Sequence, residues 1–274
     1  MQIAADNAAI PEMVQPFWNN PPGTVHLIGD RLSGKTRTLV GILVAALRDG
    51  LTLPGVALLA WTAPGARAFT ATATATVAEL QGYPPDTPLA DMVPGTAPEL
   101  IGSVCTVIRA NTDDTRELMT GEQRAEMAGE FLGLVKRVGE LGESADDVTF
   151  LRRVRRQIDA SVRLSIRARL DQHSLGDAYR AAVAAGERLP APAFVEEVVD
   201  YYRDYRRQCG VIDLADLLGA RLVPVDACAL TLIDEAQGIP PLGLAALRRL
   251  LPRAALVLAG LQITGKPDLT LRLV

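Results

Sequence analysis

The 274 residues carry 28 basic and 32 acidic side chains, a net charge of −4, and 49% of them are apolar. That apolar share builds a real core and excludes wholesale disorder, while the charge balance excludes coating of nucleic acid by bulk charge and leaves only a local basic face. Cys105, Cys209 and Cys228 form no CxxC pair, and the two histidines, His26 and His173, lie far apart, which excludes a structural zinc site or disulfide framework and fits a reducing compartment. The longest apolar run, Thr38 to Leu47, is too short to cross a bilayer. The first twenty residues hold no basic segment followed by an apolar stretch. The expectation is a soluble, cytoplasmic protein with no membrane partner.

Thr24 to Ile28 is a short β-branched run that leads into a glycine-containing turn. Thr36 to Arg48 follows with apolar residues on nearly every face, the pattern of a buried helix, and Gly50 is a stop signal. Val56 to Trp61 and Leu100 to Val107 read as further buried strands. Thr70 to Thr76 alternates Thr and Ala; period 2 points to a strand, but residues so small have little to bury, and the segment stays unassigned. Strands separated by helices favour a parallel sheet with crossover helices.

From about Asn111 to Cys209 the pattern becomes helical. Thr112 to Val148 holds ten acidic and four basic residues, whereas Leu151 to Leu170 holds seven arginines and one aspartate. In that second stretch Leu151, Val154, Ile158, Val162, Ile166 and Leu170 recur at spacings of three and four, so an amphipathic helix presents an arginine-rich outer face. Arg152, Arg155 and Arg163 on that face are candidates for contact with a phosphate backbone, set against a plainly solvated or acid-paired face. Strand character returns at Ala229 to Ile233 and Ala254 to Ala259, with a helix over Leu242 to Leu251 between them. A helical subdomain over 111–210, inserted into an α/β domain of residues 1–110 and 211–274, is the simplest account.

Gly29-Asp30-Arg31-Leu32-Ser33-Gly34-Lys35-Thr36 fits the phosphate-loop pattern GxxxxGK[ST]. Glycines let successive N–H groups curl around phosphate oxygens, the lysine bridges the terminal phosphates, and the hydroxyl ligates Mg²⁺. The loop stands after a strand and opens a helix, which is the context the chemistry needs. Gly29, Ser33, Gly34, Lys35 and Thr36 are therefore candidate ATP-binding residues. Leu230-Thr231-Leu232-Ile233-Asp234-Glu235 supplies the acidic half of such a site: Asp234 to hold Mg²⁺ and Glu235 to take a proton from the attacking water. Lys35 and Glu235 are the candidate catalytic residues, Thr36 and Asp234 the candidate metal ligands.

Asp234-Glu235-Ala236-Gln237 also begins a resemblance to the UvrD/Rep-like superfamily 1 DNA helicases. Lys35-Thr36-Arg37 matches that family's Gly-Lys-Thr-Arg, adding Arg37 and Gln237 to the nucleotide contacts that the resemblance implies. Leu59-Ala60-Trp61-Thr62 followed by Gly65-Ala66 looks like the single-strand-contacting segment written TFTNKAA, and Gly102-Ser103-Val104-Cys105-Thr106 sits where the family has GTFHS. Val211 to Leu218 is similar to a stretch ending ALDFDDLL, and Leu256 to Gly260 to the strand leading into GDxxQ. The resemblance implies a RecA-like P-loop parallel sheet with an inserted helical subdomain, ATP and Mg²⁺ as cofactors, and single-stranded DNA as partner. It makes Trp61, Thr62 and Ser103 candidate DNA contacts.

Departures accompany the matches. Asp30 and Leu32 stand where the family loop has glycines, Ala63-Pro64 replaces Asn-Lys, Gly238 replaces the aspartate after Gln237, and Ala215 lies between Asp213 and Asp216. The family's second motor lobe, whose arginines reach the γ-phosphate, is expected from the same gene or a partner subunit. The expected function is the ATP-binding lobe of a DNA helicase or translocase, including a role in DNA repair. The competing expectation is a catalytically weak helicase-like subunit that binds DNA or a partner structurally. A small-molecule kinase on the same core is disfavoured by the Asp234–Gln237 motif.

Overall fold

The computed structural model describes residues 2–5, 9–19, 22–30, 33–48, 55–84, 86–92, 98–137, 148–263 and 265–273. Arg31 and Leu32 of the loop after Ile28 and the side chain of Trp18 lie outside that set. The chain divides into two units, residues 1–113 with 221–274, and residues 114–220.

The first unit is α/β. In chain order it holds β1 (Gln2–Ala5), α1 (Ile10–Asn19), β2 (Thr24–Ile28), α2 (Lys35–Arg48), β3 (Val56–Ala60), α3 (Ala63–Gln81), the short α4 (Leu89–Met92), β4 (Ile101–Ser103) and α5 (Val104–Ala110). The second unit contributes α6 (Gly121–Arg137), α7 (Val148–Leu170), α8 (Leu175–Ala184), α9 (Pro192–Cys209) and α10 (Leu214–Gly219). The chain then returns to the first unit with β5 (Leu230–Asp234), α11 (Pro241–Leu250), β6 (Ala255–Gly260) and β7 (Leu269–Leu273).

The seven strands form one all-parallel sheet in the order β1-β7-β2-β6-β5-β3-β4. Val25, Leu27, Leu58, Leu232, Val257 and Leu271 point into one core with Ile10, Leu39, Leu43 and Phe69. The alternate residues His26, Leu59, Ile233 and Leu258 are buried as well. Burial on both faces is why these strands read as unbroken apolar runs rather than as alternating ones. β1 and β7 were not anticipated, and they extend the sheet beyond β2 with Gln2 beside Thr270 and Val25 beside Leu269.

The unassigned segment is helical, and one local reading is corrected. Thr70 to Thr76 lies inside α3, where Ala66, Phe69, Ala73 and Val77 form the buried stripe at spacings of three and four. The hydroxyls of Thr72 and Thr76 donate to the carbonyls of Ala68 and Thr72, each at 2.9 Å, so threonine is satisfied within the helix. Leu100 to Val107 is a strand only over Ile101–Ser103. Ser103 then caps α5, its Oγ accepting from the Thr106 N–H at 3.2 Å, and the β-branched run that follows turns helical.

In the second unit Met127 and Phe131 of α6, Val154, Ile158 and Val162 of α7, and Val198 and Tyr202 of α9 form one core. Leu164, Ala168, Ala178, Ala182 and Val195 form another across α7, α8 and α9. Asp213 caps α10 in a reciprocal capping box with Asp216. Its carboxylate, 1% exposed, meets Arg169 at 2.8 Å and Arg206 at 3.2 Å, and accepts from the Tyr202 hydroxyl at 3.2 Å. Arg169 and Arg206 also pair with Asp216. These ion pairs hold residues 211–220 to the helical unit, so the break falls at 220/221, ten residues beyond the expected one. No helix among the described residues is long and apolar enough to cross a membrane.

Candidate functional site

Because every strand runs the same way, the segments that follow them leave from one edge of the sheet, where open α/β sheets bind ligands. That edge gathers the glycine-containing loop after β2, Trp61 and Thr62 after β3, Ser103 at the end of β4, Asp234 and Glu235 at the end of β5, and Leu261 after β6.

The loop is folded on its own lysine. Lys35 Nζ donates to the carbonyls of Gly29 (2.9 Å) and Asp30 and lies 3.3 Å from Ser33 Oγ. Gly29 is required by close approach, since a Cβ there would collide with Ser33 Oγ. Gly34 has φ of +78°, in the left-handed region that favours glycine. Lys35 opens α2 and Thr36 follows it, half-buried, with its hydroxyl donating to Asp234 Oδ2 at 2.6 Å. This bond joins positions 198 residues apart. It places a hydroxyl and a carboxylate side by side, two oxygens of the hard kind that Mg²⁺ takes. No group of three or more His, Cys, Asp or Glu able to hold a metal stands among the described residues. Arg37 is exposed on the first turn of α2.

Glu235 is one of two non-glycine residues with positive φ among those described, at φ +53° and ψ +35°. Such a conformation costs about 1–3 kcal/mol and concentrates at functional sites. Its backbone N–H donates to Asp234 Oδ1 at 2.9 Å. Its carboxylate lies where a Cβ at Gly65 would be, beside Thr62 Oγ1. Asp234 is bonded to Thr36, while the Glu235 carboxylate sits beside Gly65 and Thr62 at the start of α3. Gln237 Oε1 accepts from the Leu261 N–H at 3.4 Å.

Trp61 is half-buried, packed over two glycines. A Cβ at Gly238 would come within 2.9 Å of its Cδ1, and one at Gly243 within 3.5 Å of its Cζ3. The aspartate that the resemblance expects at 238 has no room beside this ring. Thr62 caps α3, its Oγ1 accepting from the Gly65 N–H at 3.2 Å. Ser103 is buried and its hydroxyl also meets Thr106 Oγ1 at 2.7 Å. Between these two caps runs a groove of about 610 Å³, walled by Ala63, Arg67, Thr70 and Thr74 of α3 and by Gly102 and Ser103 of β4.

Arg152, Arg155 and Arg163 lie in the helical unit, exposed on α7 and without an ion pair among the described residues. Arg167 and Arg169 of the same helix pair with Glu187 and with Asp213 and Asp216. Sequence reasoning missed Gly65 as the seat of Glu235 and Gly238 as the floor under Trp61. Both are contacts between distant segments that leave no local pattern. The chain matches no protein-family model, and a comparison with curated proteins gives no match.

Proposed function

We propose that the chain is the ATP-binding lobe of a UvrD/Rep-like DNA helicase or translocase, a RecA-like P-loop domain with an inserted helical subdomain, working in the cytoplasm. The observation that carries this reading is the 2.6 Å bond between Thr36 of the phosphate loop and Asp234 at the end of β5. Two motifs far apart in the sequence meet there, at the edge where open parallel sheets bind ligands.

The residues fit Mg-ATP. The close-packed Gly29 and left-handed Gly34 keep the loop backbone free to approach phosphate. Lys35 already lies across the loop and exchanges its carbonyl partners for phosphate oxygens. Thr36 and Asp234 hold the metal, and Gly29, Ser33, Arg37 and Gln237 complete the surroundings. The bound nucleotide and metal supply a phosphoanhydride and the charge that neutralises its oxygens. Glu235 is the proton acceptor for the attacking water. The groove between Thr62 and Ser103 suits a single strand of DNA: its walls are built largely of small side chains, with Arg67 for phosphate and Trp61 close by for a base. Arg152, Arg155 and Arg163 offer further phosphate contacts.

A specific observation favours a second reading, that of a catalytically weak, helicase-like subunit acting structurally: the Glu235 carboxylate is seated against Gly65 and Thr62 at the start of α3. Steady-state phosphate release separates the two. The chain alone is expected to turn over slowly and without unwinding. A second motor lobe, from the same gene or a partner subunit, is expected to raise turnover by about 10³-fold through its arginine. No gain on adding that lobe favours the structural subunit. Robust DNA-stimulated turnover by the chain alone contradicts the need for a lobe.

A further inference from the structure

On the sheet face opposite the main core, the side chain of His26 points away from Val25 and Leu27, which enter that core. His26 is 3% exposed, yet it forms no hydrogen bond among the described residues. It lines a cavity of about 200 Å³ with Thr24, Leu244, Arg248, Leu258 and Lys266. Neither ring nitrogen is sealed from solvent, so the imidazole keeps its hydrogen-bonding groups open toward that cavity.

Arg248 lines the same cavity. Its guanidinium, half-buried, donates to the carbonyls of Ala254 (2.9 Å) and Gly23 (2.8 Å) and to the Thr24 hydroxyl. All three partners are neutral. No carboxylate lies within ion-pair distance of Arg248 among the described residues. Asp268, whose field reaches it, has Oδ2 on the Thr24 N–H at 2.7 Å. Burial holds both the His26 imidazole and the Arg248 guanidinium below their ordinary pKa values. Lys266 adds a second, exposed cation at the wall, and no lining residue is acidic. A half-buried cation bonded only to neutral acceptors and an imidazole open to the same cavity can both be answered by one small anion.

The structure assigns this cavity as a binding site for a small oxyanion, inorganic phosphate or a short carboxylate, held by His26 and Lys266 in the field of Arg248. The volume admits a few heavy atoms and excludes a nucleotide. The site lies behind the strand that feeds the phosphate loop, and it does not depend on what that loop binds.

Having only two histidines makes the test direct. Inorganic phosphate and, separately, acetate are titrated into the full chain while the two imidazole Hε1 resonances are followed by proton NMR. One resonance is expected to move saturably and to be the one missing from His26→Gln, with the His173 signal still. Saturation by phosphate alone marks a dianion site, and saturation by either probe a general oxyanion site. Lys266→Ala, at an exposed position that leaves folding intact, is expected to weaken binding about tenfold. Lys35→Ala is expected to leave the His26 response unchanged, which separates this site from the phosphate loop. Absence of any saturable His26 response, its loss in Lys35→Ala, or unaltered affinity in Lys266→Ala overturns the assignment.

Discussion

The two units treat charge in opposite ways. In the helical unit the buried charges neutralise one another: Asp213 and Asp216 are enclosed by Arg169, Arg206 and the Tyr202 hydroxyl, and Arg206 lies 4.6 Å from the Tyr202 ring centroid. Burial and the neighbouring Asp213 push the Tyr202 hydroxyl far above its ordinary pKa, so it serves only as a donor. At the sheet edge of the α/β unit the charges are left incomplete. Lys35 is answered by carbonyls and a hydroxyl, Asp234 by a hydroxyl and an N–H, and Glu235 is exposed in a strained backbone. A closed network stabilises its own fold. An open one is arranged for something that arrives.

The largest effect that sharpens this contrast falls at Glu235. Glu235→Gln removes the proton acceptor while keeping the shape, and is expected to lower phosphate release by about 10²–10⁴-fold in the lobe-completed enzyme with ATP affinity unchanged. Equal loss of affinity would place Glu235 in binding instead. Next is the closed network. Asp213→Ala strands two arginines against a buried cap and is expected to cost about 3–5 kcal/mol in urea denaturation followed by helical circular dichroism. Arg180→Ala, which breaks the exposed pair with Asp177, is expected to leave the midpoint where it is. Similar midpoints for both variants would break the distinction between the units.

Smaller effects test the rims. Gly238→Ala forces a methyl to within 2.9 Å of the Trp61 ring and is expected to destabilise the α/β unit by about 1–3 kcal/mol, read by thermal denaturation. An unchanged melting temperature would show the ring free to move, as a base-stacking residue needs. Replacing Arg152, Arg155 and Arg163 by Gln is expected to make the slope of log affinity for single strands against log salt shallower by about 2. An unchanged slope returns that face of α7 to solvent.

Much of this contrast was legible in the chain. The phosphate loop and the strand ending in Asp234-Glu235 are local patterns, and so is the apolar stripe of α7, whose Val154, Ile158 and Val162 are all buried. Other features were hidden for physical reasons. α3 looks like an alternating strand over seven residues because its stripe is built from Ala66, Phe69 and Ala73 across a longer window. Ser103 ends β4 through a single hydroxyl that captures the Thr106 N–H. The seat of Glu235 on Gly65 joins segments 170 residues apart, and no periodicity within either one records it.

The central claim is that the open edge is a nucleotide site, and calorimetric titration of Mg-ATP into the whole chain tests it most directly. The account predicts saturable binding that requires Mg²⁺. It also predicts that Lys35→Ala weakens binding by about 1.5–3 kcal/mol, the worth of one charge-assisted contact, without altering the fold. No heat of binding from the unaltered chain in the presence of Mg²⁺ would contradict both the loop assignment and the motor reading built on it.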